Sequence, residues 1–341
     1  MFAMMRNAYG LSGGGGGVVA ASAPVRNGKR PRIGLALGSG VARGWCHIGI
    51  LRAFSEAGLK PDVIAGTSIG AVVGGCYAAG KLDDLEEFAR GLTKRRLLSM
   101  LDLTFSGGIL GGARLREKLE ATLGGHTVES LPIAFAAVAT ELSSGHEIWL
   151  RRGSLSHAVI ASYAMPGLFE PARVDGRILV DGALVNPIPV SVCRALGADI
   201  VIAIGLVSDS MFRGTVMADR RVEEDAVATL AEEAEAQPAS WAPGGLSPRA
   251  FLSRYMRRGR GDAPGIASVM VDSFAIIHDR IARSRLAGDP PDILINARLD
   301  QFGLFEFHRA AELIAIGSDT AKRWLPEIND LVGAAEPAPV A

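Results

Sequence analysis

Short, almost uninterrupted apolar runs alternate along this chain with segments in which apolar residues recur every three or four positions. The first run is 33–37, and helical spacing follows it across 45–54. The second run is 62–65, and it is followed by a helix of small residues that ends at Gly80. Continuous apolar runs are typical of buried parallel strands, and the recurring spacing is typical of helices packed on a sheet. This alternation predicts a three-layer α/β/α fold with a mainly parallel central sheet.

The same two patterns continue through the rest of the chain. Apolar runs predict further strands at 133–140, 147–150, 200–204 and 293–295. Helical spacing predicts helices over 83–123 with glycine breaks, from 155 to a stop before Pro166, and over 189–196, 266–286 and 306–324. The pair Asp175-Gly176 lies between two short apolar segments and is typical of the tight turn of a β-hairpin. Together these elements predict one domain over 31–322.

Three segments lack both patterns. Residues 1–30 contain a run of five glycines, and we expect a flexible leader there. Residues 208–265 pass from an acidic stretch through a Pro/Gly/Ser-rich stretch to a basic end, which predicts a partly disordered insertion in the domain. The Ala/Pro-rich end of the chain, 333–341, predicts a loose tail.

Composition narrows the classes of function. The 341 residues include 36 basic and 36 acidic side chains, so the formal net charge is zero, and a nucleic-acid partner is not expected. Apolar residues make up 48% and charged residues 21%, which excludes wholesale disorder. Three cysteines without a CxxC pair fit a reducing, cytoplasmic compartment and offer no metal site. No apolar stretch is long enough to predict a membrane-spanning helix.

The first candidate site is the G-x-S-x-G pattern at Gly66–Gly70, centred on Ser68. A buried strand precedes it and a helix of small residues follows it, which is the context of a nucleophile elbow. Glycines flank such a turn because it is too tight for side chains, and the serine then lies at the positive end of a helix. The alternative is an ordinary turn serine that caps this helix.

The second candidate is the glycine-rich loop Gly38–Gly44, between the first predicted strand and helix. Its G-x-G-x-x-x-G spacing is one residue longer than the dinucleotide fingerprint, and the second strand lacks the acidic residue which that fingerprint requires. Such a loop can instead present backbone N–H groups to an oxyanion, with the positive charge of Arg43 nearby. The alternative is a tight turn with a solvated arginine.

A serine nucleophile needs a base. None of the six histidines lies in a loop with the character of a catalytic triad, and we expect His47 to pack within the first helix. Asp181-Gly182-Ala183 directly follows an apolar strand, so Asp181 is predicted to project from a strand end. The alternative is an Asp-Gly turn like the one expected at Asp175-Gly176.

In order along the chain, these motifs resemble those of the patatin-like phospholipases. That family combines a glycine-rich loop carrying a basic residue, a G-x-S-x-G elbow and a D-G-[AG] motif. Here they are Gly38–Gly44, Gly66–Gly70 and Asp181–Ala183, and the similarity is to the small bacterial branch of the family over 31–207 and 266–322. One departure is that Ser39 and Val41 interrupt glycines that are consecutive in many members, which predicts a stiffer loop that keeps its backbone donors.

The resemblance implies a Ser–Asp acyl hydrolase that acts on a phospholipid or another fatty-acyl ester, with no metal and no organic cofactor. Ser68 would attack the ester and Asp181 would accept its proton. A free aspartate has a pKa of about 3.9 and is a poor base, so the carboxylate must be desolvated. The remaining site residues that the resemblance implies form the oxyanion loop (Gly38, Gly40, Val41, Ala42, Arg43, Gly44), the elbow (Gly66, Gly70) and the motif after the base (Gly182, Ala183).

Two other functions remain open from the sequence: a regulatory or binding module on the same fold, and an acyltransferase in which an alcohol replaces water. A lipid substrate also requires contact with a bilayer. If 249–258 is helical, four apolar residues share one face and arginines flank it, which predicts peripheral contact with an anionic inner membrane face. The alternative for this segment is a disordered surface loop.

Overall fold

The computed structural model describes residues 30–93, 112–166, 168–206, 266–299 and 301–335. The chain divides into two units, one formed by 1–208 with 276–341 and the other by 209–275. Of the second unit, residues 266–275 are described, and they are helical. The predicted leader up to residue 29, the whole of the predicted insertion at 208–265 and the predicted interfacial helix within it lie outside the described residues.

The described strands form one eight-stranded sheet. They are β1 (Ile33–Leu37), β2 (Val63–Thr67), β3 (Ala134–Glu141), β4 (Glu147–Leu150), β5 (Ala172–Val174), β6 (Arg177–Asp181), β7 (Ile200–Gly205) and β8 (Ile293–Asn296). The order is β5-β6-β3-β2-β1-β7-β8, with β4 also paired to β3. Strands β3, β2, β1, β7 and β8 run parallel, whereas β4, β6 and β5 add antiparallel pairs at one end. The prediction of a mainly parallel sheet is confirmed.

The helices are α1 (Cys46–Glu56), α2 (Ile69–Ala78), α3 (Leu82–Arg90), α4 (Gly112–Leu123), α5 (Leu155–Tyr163), α6 (Val190–Ala195), α7 (Ile266–Gly288) and α8 (Ala310–Ala335). Short 3-10 helices add Val41–Trp45, Val128–Ser130, Gly182–Leu184 and Phe307–Arg309. The sheet has an apolar core on each face, because successive strand residues point to opposite sides. In β1, Leu35 belongs to the core beneath α1, α2, α5 and α8, and Ala36 belongs to the core beneath α6 and part of α7. Helices on both faces confirm the three-layer fold.

The C-terminal helix corrects two predictions. It was predicted to end at Trp324 and to leave a loose tail from Gly333, but α8 continues to Ala335 and includes Pro326. A proline inside a helix removes one backbone hydrogen bond. Here Ile328 beyond it is fully buried, and apolar burial therefore continues past the interruption. The expected helix start at residue 306 is instead a 3-10 turn, Phe307–Arg309.

The predicted hairpin at Asp175-Gly176 is confirmed, with positive φ values of 49° and 76° at its two turn residues. Its second strand, β6, has an unusual neighbour. Val138 of β3 is opposite Thr67, and the next residue, Ala139, is opposite Asp181. Strand β4 pairs with both Val138 and Ala139 and therefore lies along the opposite edge of β3. Strands β2 and β6 thus follow one another along the same edge of β3. Since β2 is parallel to β3 and β6 is antiparallel, their C-terminal ends meet there.

Candidate active site

Ser68 occupies a strained turn between β2 and α2. Its backbone has φ 57° and ψ −125°, a conformation that costs a non-glycine residue about 1–3 kcal/mol. The flanking glycines allow the turn to close. A Cβ atom on Gly70 would lie 2.1 Å from the Leu37 carbonyl oxygen, and one on Gly66 would lie 2.5 Å from the amide nitrogen of Ala71. The G-x-S-x-G pattern thus has a steric cause at both glycines, and Ser68 is held at the first turn of α2 as predicted.

The structure brings Ser68 and Asp181 into direct contact. The Ser68 hydroxyl donates a 2.6 Å hydrogen bond to Oδ2 of Asp181, and both residues are buried. The other carboxylate oxygen, Oδ1, accepts the amide N–H of Ala183 at 2.8 Å. Gly182 must lack a side chain, because its Cβ would lie 2.2 Å from the Val138 carbonyl oxygen. The D-G-A motif therefore orients the carboxylate towards the serine.

Burial changes the acid–base chemistry of this carboxylate. It raises the pKa of Asp181 to about 7, while the hydrogen bonds from Ser68 and the Ala183 amide act in the opposite direction. Burial has this effect because a low dielectric disfavours the charged form. A carboxylate with a pKa near neutrality is a much stronger base than a free aspartate and is still ionised in a substantial fraction of molecules at physiological pH.

The C-terminal end of α5 contacts the backbone of both residues. The Ser162 hydroxyl accepts the Ser68 amide N–H at 2.9 Å and donates to the Val138 carbonyl at 2.6 Å. Two residues later, the Ala164 carbonyl accepts the Asp181 amide N–H at 2.9 Å. Sequence reasoning missed Ser162, for which the available signal was a hydroxyl near the end of a mostly apolar helix.

The glycine-rich loop, Gly38–Gly44, runs from β1 into a 3-10 helix and packs against the elbow. A Cβ on Gly44 would lie 2.2 Å from the side chain of Ile69, the residue after the predicted nucleophile. Val41 has a positive φ of 53°, which is unusual for a β-branched residue and indicates a backbone fixed by its surroundings. The loop therefore lies beside Ser68, as expected from adjacent parallel strands.

Some backbone amides of this loop are already hydrogen-bonded within the protein and others are not. The Ala42 N–H, one of the predicted oxyanion donors, donates to the Leu304 carbonyl at 3.0 Å. Within the described part of the chain, the amide N–H groups of Gly40 and Val41 donate no hydrogen bond to the protein. These two N–H groups are therefore the loop donors that remain for an incoming ligand.

Arg43 is bound by the protein rather than solvated. Its Nε and Nη2 atoms both donate to the Phe302 carbonyl oxygen, at 3.0 and 2.8 Å. The guanidinium of Arg309 stacks over the Phe302 ring, with its central carbon 4.0 Å from the ring centroid. Arg43 therefore connects the glycine-rich loop to the segment before α8, a contact that the sequence does not reveal.

Two histidines contact the same loop, and neither is a hydrogen-bond partner of Ser68. The Nε2 atom of His47 donates to the Gly38 carbonyl at 2.7 Å, and His278 of α7 shares a short hydrogen bond with the Ser39 hydroxyl. Burial lowers the pKa of each imidazole to about 4, so both are neutral at physiological pH. The contact of His278 was not foreseen from the sequence.

Two wider features concern the described residues as a whole. No group of three or more histidine, cysteine or acidic side chains is arranged to hold a metal ion there. In the same part of the chain, no helix has both the length and the apolar character needed to cross a membrane.

The sequence is similar to those of known proteins. A family model described as "Patatin-like phospholipase" matches residues 35–194, which include the glycine-rich loop, Ser68 and Asp181. An NTE family protein of Mycobacterium tuberculosis is 36% identical over 342 residues, which cover 90% of this chain and 95% of the relative. This chain belongs to the patatin-like phospholipase family. The resemblance drawn from the motifs is therefore confirmed, and membership places the protein among lipid hydrolases.

Larger members of the family match over part of their length. The lysophospholipase NTE1 of Pyricularia oryzae is 27% identical over 306 residues, which cover 87% of this chain and 19% of that protein. The neuropathy target esterase sws of Drosophila melanogaster is 34% identical over 180 residues, covering 50% and 13%. Among solved structures, VipD from Legionella pneumophila aligns over 93% of this chain and 72% of its own, with 15% identity and a TM-score of 0.48.

Proposed function

We propose that this patatin-like protein hydrolyses carboxylic ester bonds of phospholipids or lysophospholipids, with Ser68 as nucleophile and Asp181 as general base. The observation that carries the proposal is the direct 2.6 Å hydrogen bond from the Ser68 hydroxyl to a fully buried carboxylate. The pKa of that carboxylate, raised to about 7 by burial, suits proton transfer near neutral pH. The names of the relatives in Pyricularia and Drosophila, a lysophospholipase and an esterase, support the same class of substrate.

In the first half of the reaction, Ser68 Oγ attacks the carbonyl carbon of the ester while Asp181 takes the hydroxyl proton. Negative charge develops on the carbonyl oxygen. The amides of Gly40 and Val41, which have no acceptor among the described residues, are the loop donors available to it, and the N-terminus of α2 adds a favourable dipole. The tetrahedral intermediate then collapses, the alcohol departs with the proton held by Asp181, and the fatty acyl group remains on Ser68.

In the second half, water replaces the alcohol. Asp181, ionised again, removes a proton from a water molecule as that molecule attacks the acyl-enzyme carbonyl. The second tetrahedral intermediate expels Ser68 Oγ, which recovers its proton from Asp181, and the free fatty acid is released. The same carboxylate thus acts as base and then as acid in each half, without an imidazole.

The test combines covalent labelling with product analysis. The wild type should react with a fluorophosphonate probe and release fatty acid from phospholipid or lysophospholipid vesicles, and Ser68→Ala should do neither. Asp175→Asn is a matched control for Asp181→Asn, because both aspartates precede a glycine on the β5–β6 hairpin. Acyl transfer to an added alcohol in place of fatty-acid release would favour an acyltransferase. Failure of the wild type to react would favour a binding module.

A further inference from the structure

Helix α5 holds the two proposed catalytic residues through neighbouring groups at its C-terminal end. Ser162 binds the amide of Ser68, and the Ala164 carbonyl binds the amide of Asp181. We propose that Ser162 is a positioning residue that fixes the Ser68 turn at the distance from Asp181 needed for proton transfer. This inference rests on the proposed function, because it concerns the geometry of that reaction.

The Ser162 hydroxyl has a single orientation available to it. It is fully buried, it donates its hydrogen to the Val138 carbonyl at 2.6 Å, and its lone pair accepts the Ser68 N–H at 2.9 Å. The single donor of the hydroxyl and one of its two lone pairs are therefore in use. A side chain without oxygen at position 162 would leave an N–H and a carbonyl unpaired in the protein interior, where such groups are costly.

Ser68 has particular need of an external hydrogen bond. Its positive φ places it in a conformation that other residues avoid, so the turn relies on its surroundings. Its amide is one of the first N–H groups at a helix start, which have no partner inside the helix. The Ser162 oxygen supplies the missing acceptor and binds the strained residue itself. Without this bond the strained turn would be free to relax, and we expect the distance between Ser68 Oγ and Asp181 to change.

The Val138 carbonyl links the Ser162 hydroxyl to the D-G-A motif that carries Asp181. Val138 is opposite the end of β2, and its carbonyl lies so close to Gly182 that a Cβ there would approach within 2.2 Å. Ser162 therefore bonds to a carbonyl that lies against the D-G-A motif and belongs to the residue opposite the end of β2. Its hydroxyl joins α5, β3 and the Ser68 turn in one chain of hydrogen bonds.

The test uses two substitutions of nearly equal shape. Ser162→Thr keeps the hydroxyl and Ser162→Val replaces it with a methyl group, so both introduce the same extra bulk. Ser156→Val is the control, because Ser156 is a buried serine of the same helix whose hydroxyl contacts Ser154 instead of the site. Each variant is assayed on a short-chain soluble ester well below its own Tm, with kcat, KM, the pH profile and the fluorophosphonate labelling rate measured.

We expect kcat of Ser162→Val to be about 10- to 100-fold below that of Ser162→Thr, with similar KM values, since small misplacements of reacting groups have effects of this size. The labelling rate should fall in parallel. The acid limb of kcat/KM should move to higher pH in Ser162→Val. The pKa of Asp181 is set by its burial, by the Ser68 hydroxyl and by the Ala183 amide, and a weaker bond from Ser68 removes a contribution that lowers it. A purely structural role would leave the pH profile unchanged.

Equal kcat values for the Thr and Val variants, or an unchanged pH profile in an active Val variant, would overturn the inference while leaving the proposed function intact. If neither Ser162 variant folds, a crystal structure of Ser162→Ala decides the matter, and an unchanged distance between Ser68 Oγ and Asp181 overturns the inference. A wild type that neither labels nor hydrolyses esters would overturn the proposed function, and the inference with it.

Discussion

The hydroxyl of Ser68 meets Oδ2 of Asp181 across 2.6 Å, with no other side chain between them. In a three-member arrangement, an imidazole would carry the proton and its own pKa would set the pH response. In the mechanism proposed above, the buried carboxylate of Asp181 has that role without an imidazole. The electrostatic environment of Asp181 should therefore govern both the activity and part of the stability of this protein.

The first prediction concerns the pair itself. Ser68→Ala and Asp181→Asn should each lower kcat for ester hydrolysis by at least about 10³-fold, and the double variant should be no worse than the poorer single one, because the residues act as a unit. Circular dichroism and Tm should show that the folds persist. Near-normal turnover in Asp181→Asn, together with loss of turnover in His278→Ala, would show that the base has been assigned to the wrong side chain.

The second prediction concerns the pH dependence of activity. Asp181 must be ionised to accept the proton, and its pKa lies at about 7. We therefore expect kcat/KM for a non-ionisable ester to rise with pH and to reach half its maximum near pH 7, in place of the pH near 4 that an ordinary aspartate would give. A profile that stays flat from pH 5 to 9 would contradict the raised pKa.

The third prediction concerns stability. The pKa of Asp181 is higher in the folded protein than its ordinary value of 3.8, so the folded state binds more protons between pH 4 and pH 7. The free energy of unfolding should therefore fall as pH rises through that window, since burying the charged form is unfavourable. Asp181→Asn removes this ionisation. At pH 8 its Tm should therefore be higher than that of wild type, and at pH 4 the difference between the two Tm values should be much smaller. Asp175→Asn should show no such pH-dependent gain, and an Asp181→Asn variant less stable than wild type at pH 8 would refute this account.

The fourth prediction concerns the glycine-rich loop. Gly40→Val should lower kcat by about 10²–10³-fold with a smaller effect on KM, because loss of one oxyanion donor has this cost in other enzymes. The added Cβ would lie 2.9 Å from the Leu206 side chain and would displace the loop. Gly125→Val is the control, since an added Cβ there meets no atom within 4 Å. An effect confined to KM would indicate that the loop binds the lipid head group.

The fifth prediction distinguishes two roles of Arg43: its hydrogen bonds to the Phe302 carbonyl and its positive charge. Lysine preserves the positive charge but cannot place two donors on the Phe302 carbonyl, as the planar guanidinium does. Arg43→Lys should therefore lose most of the activity that Arg43→Ala loses, about 10-fold or more in kcat, because the loop shifts in both. Arg194→Lys, which alters a contact to the Asp199 carbonyl at the amino end of β7, should leave kcat unchanged. Wild-type activity in Arg43→Lys would show that charge alone is required.

The sequence contains enough information to predict much of this architecture. Glycines at strand ends marked Ser68 and Asp181, and continuous apolar runs marked the strands that position them. What the sequence could not reveal are contacts between distant segments. The partners of Arg43 and Ser39 lie 259 and 239 positions away in the chain, and nothing near those partners sets them apart locally. Ser162 escaped notice for the same reason, since a serine near a helix end has many ordinary explanations.

The meeting of β2 and β6 on one edge of β3 has a consequence for how the protein is made. Ser68 leaves the ribosome 113 residues before Asp181, and β3 must lie in place before the two strand ends can approach each other. Closing so long a loop is entropically unfavourable until its contacts form, so this junction should be completed late in folding. A partly synthesised chain thus carries Ser68 without Asp181, its proposed base. If the proposed mechanism holds, such a chain cannot hydrolyse an ester until translation has passed residue 181.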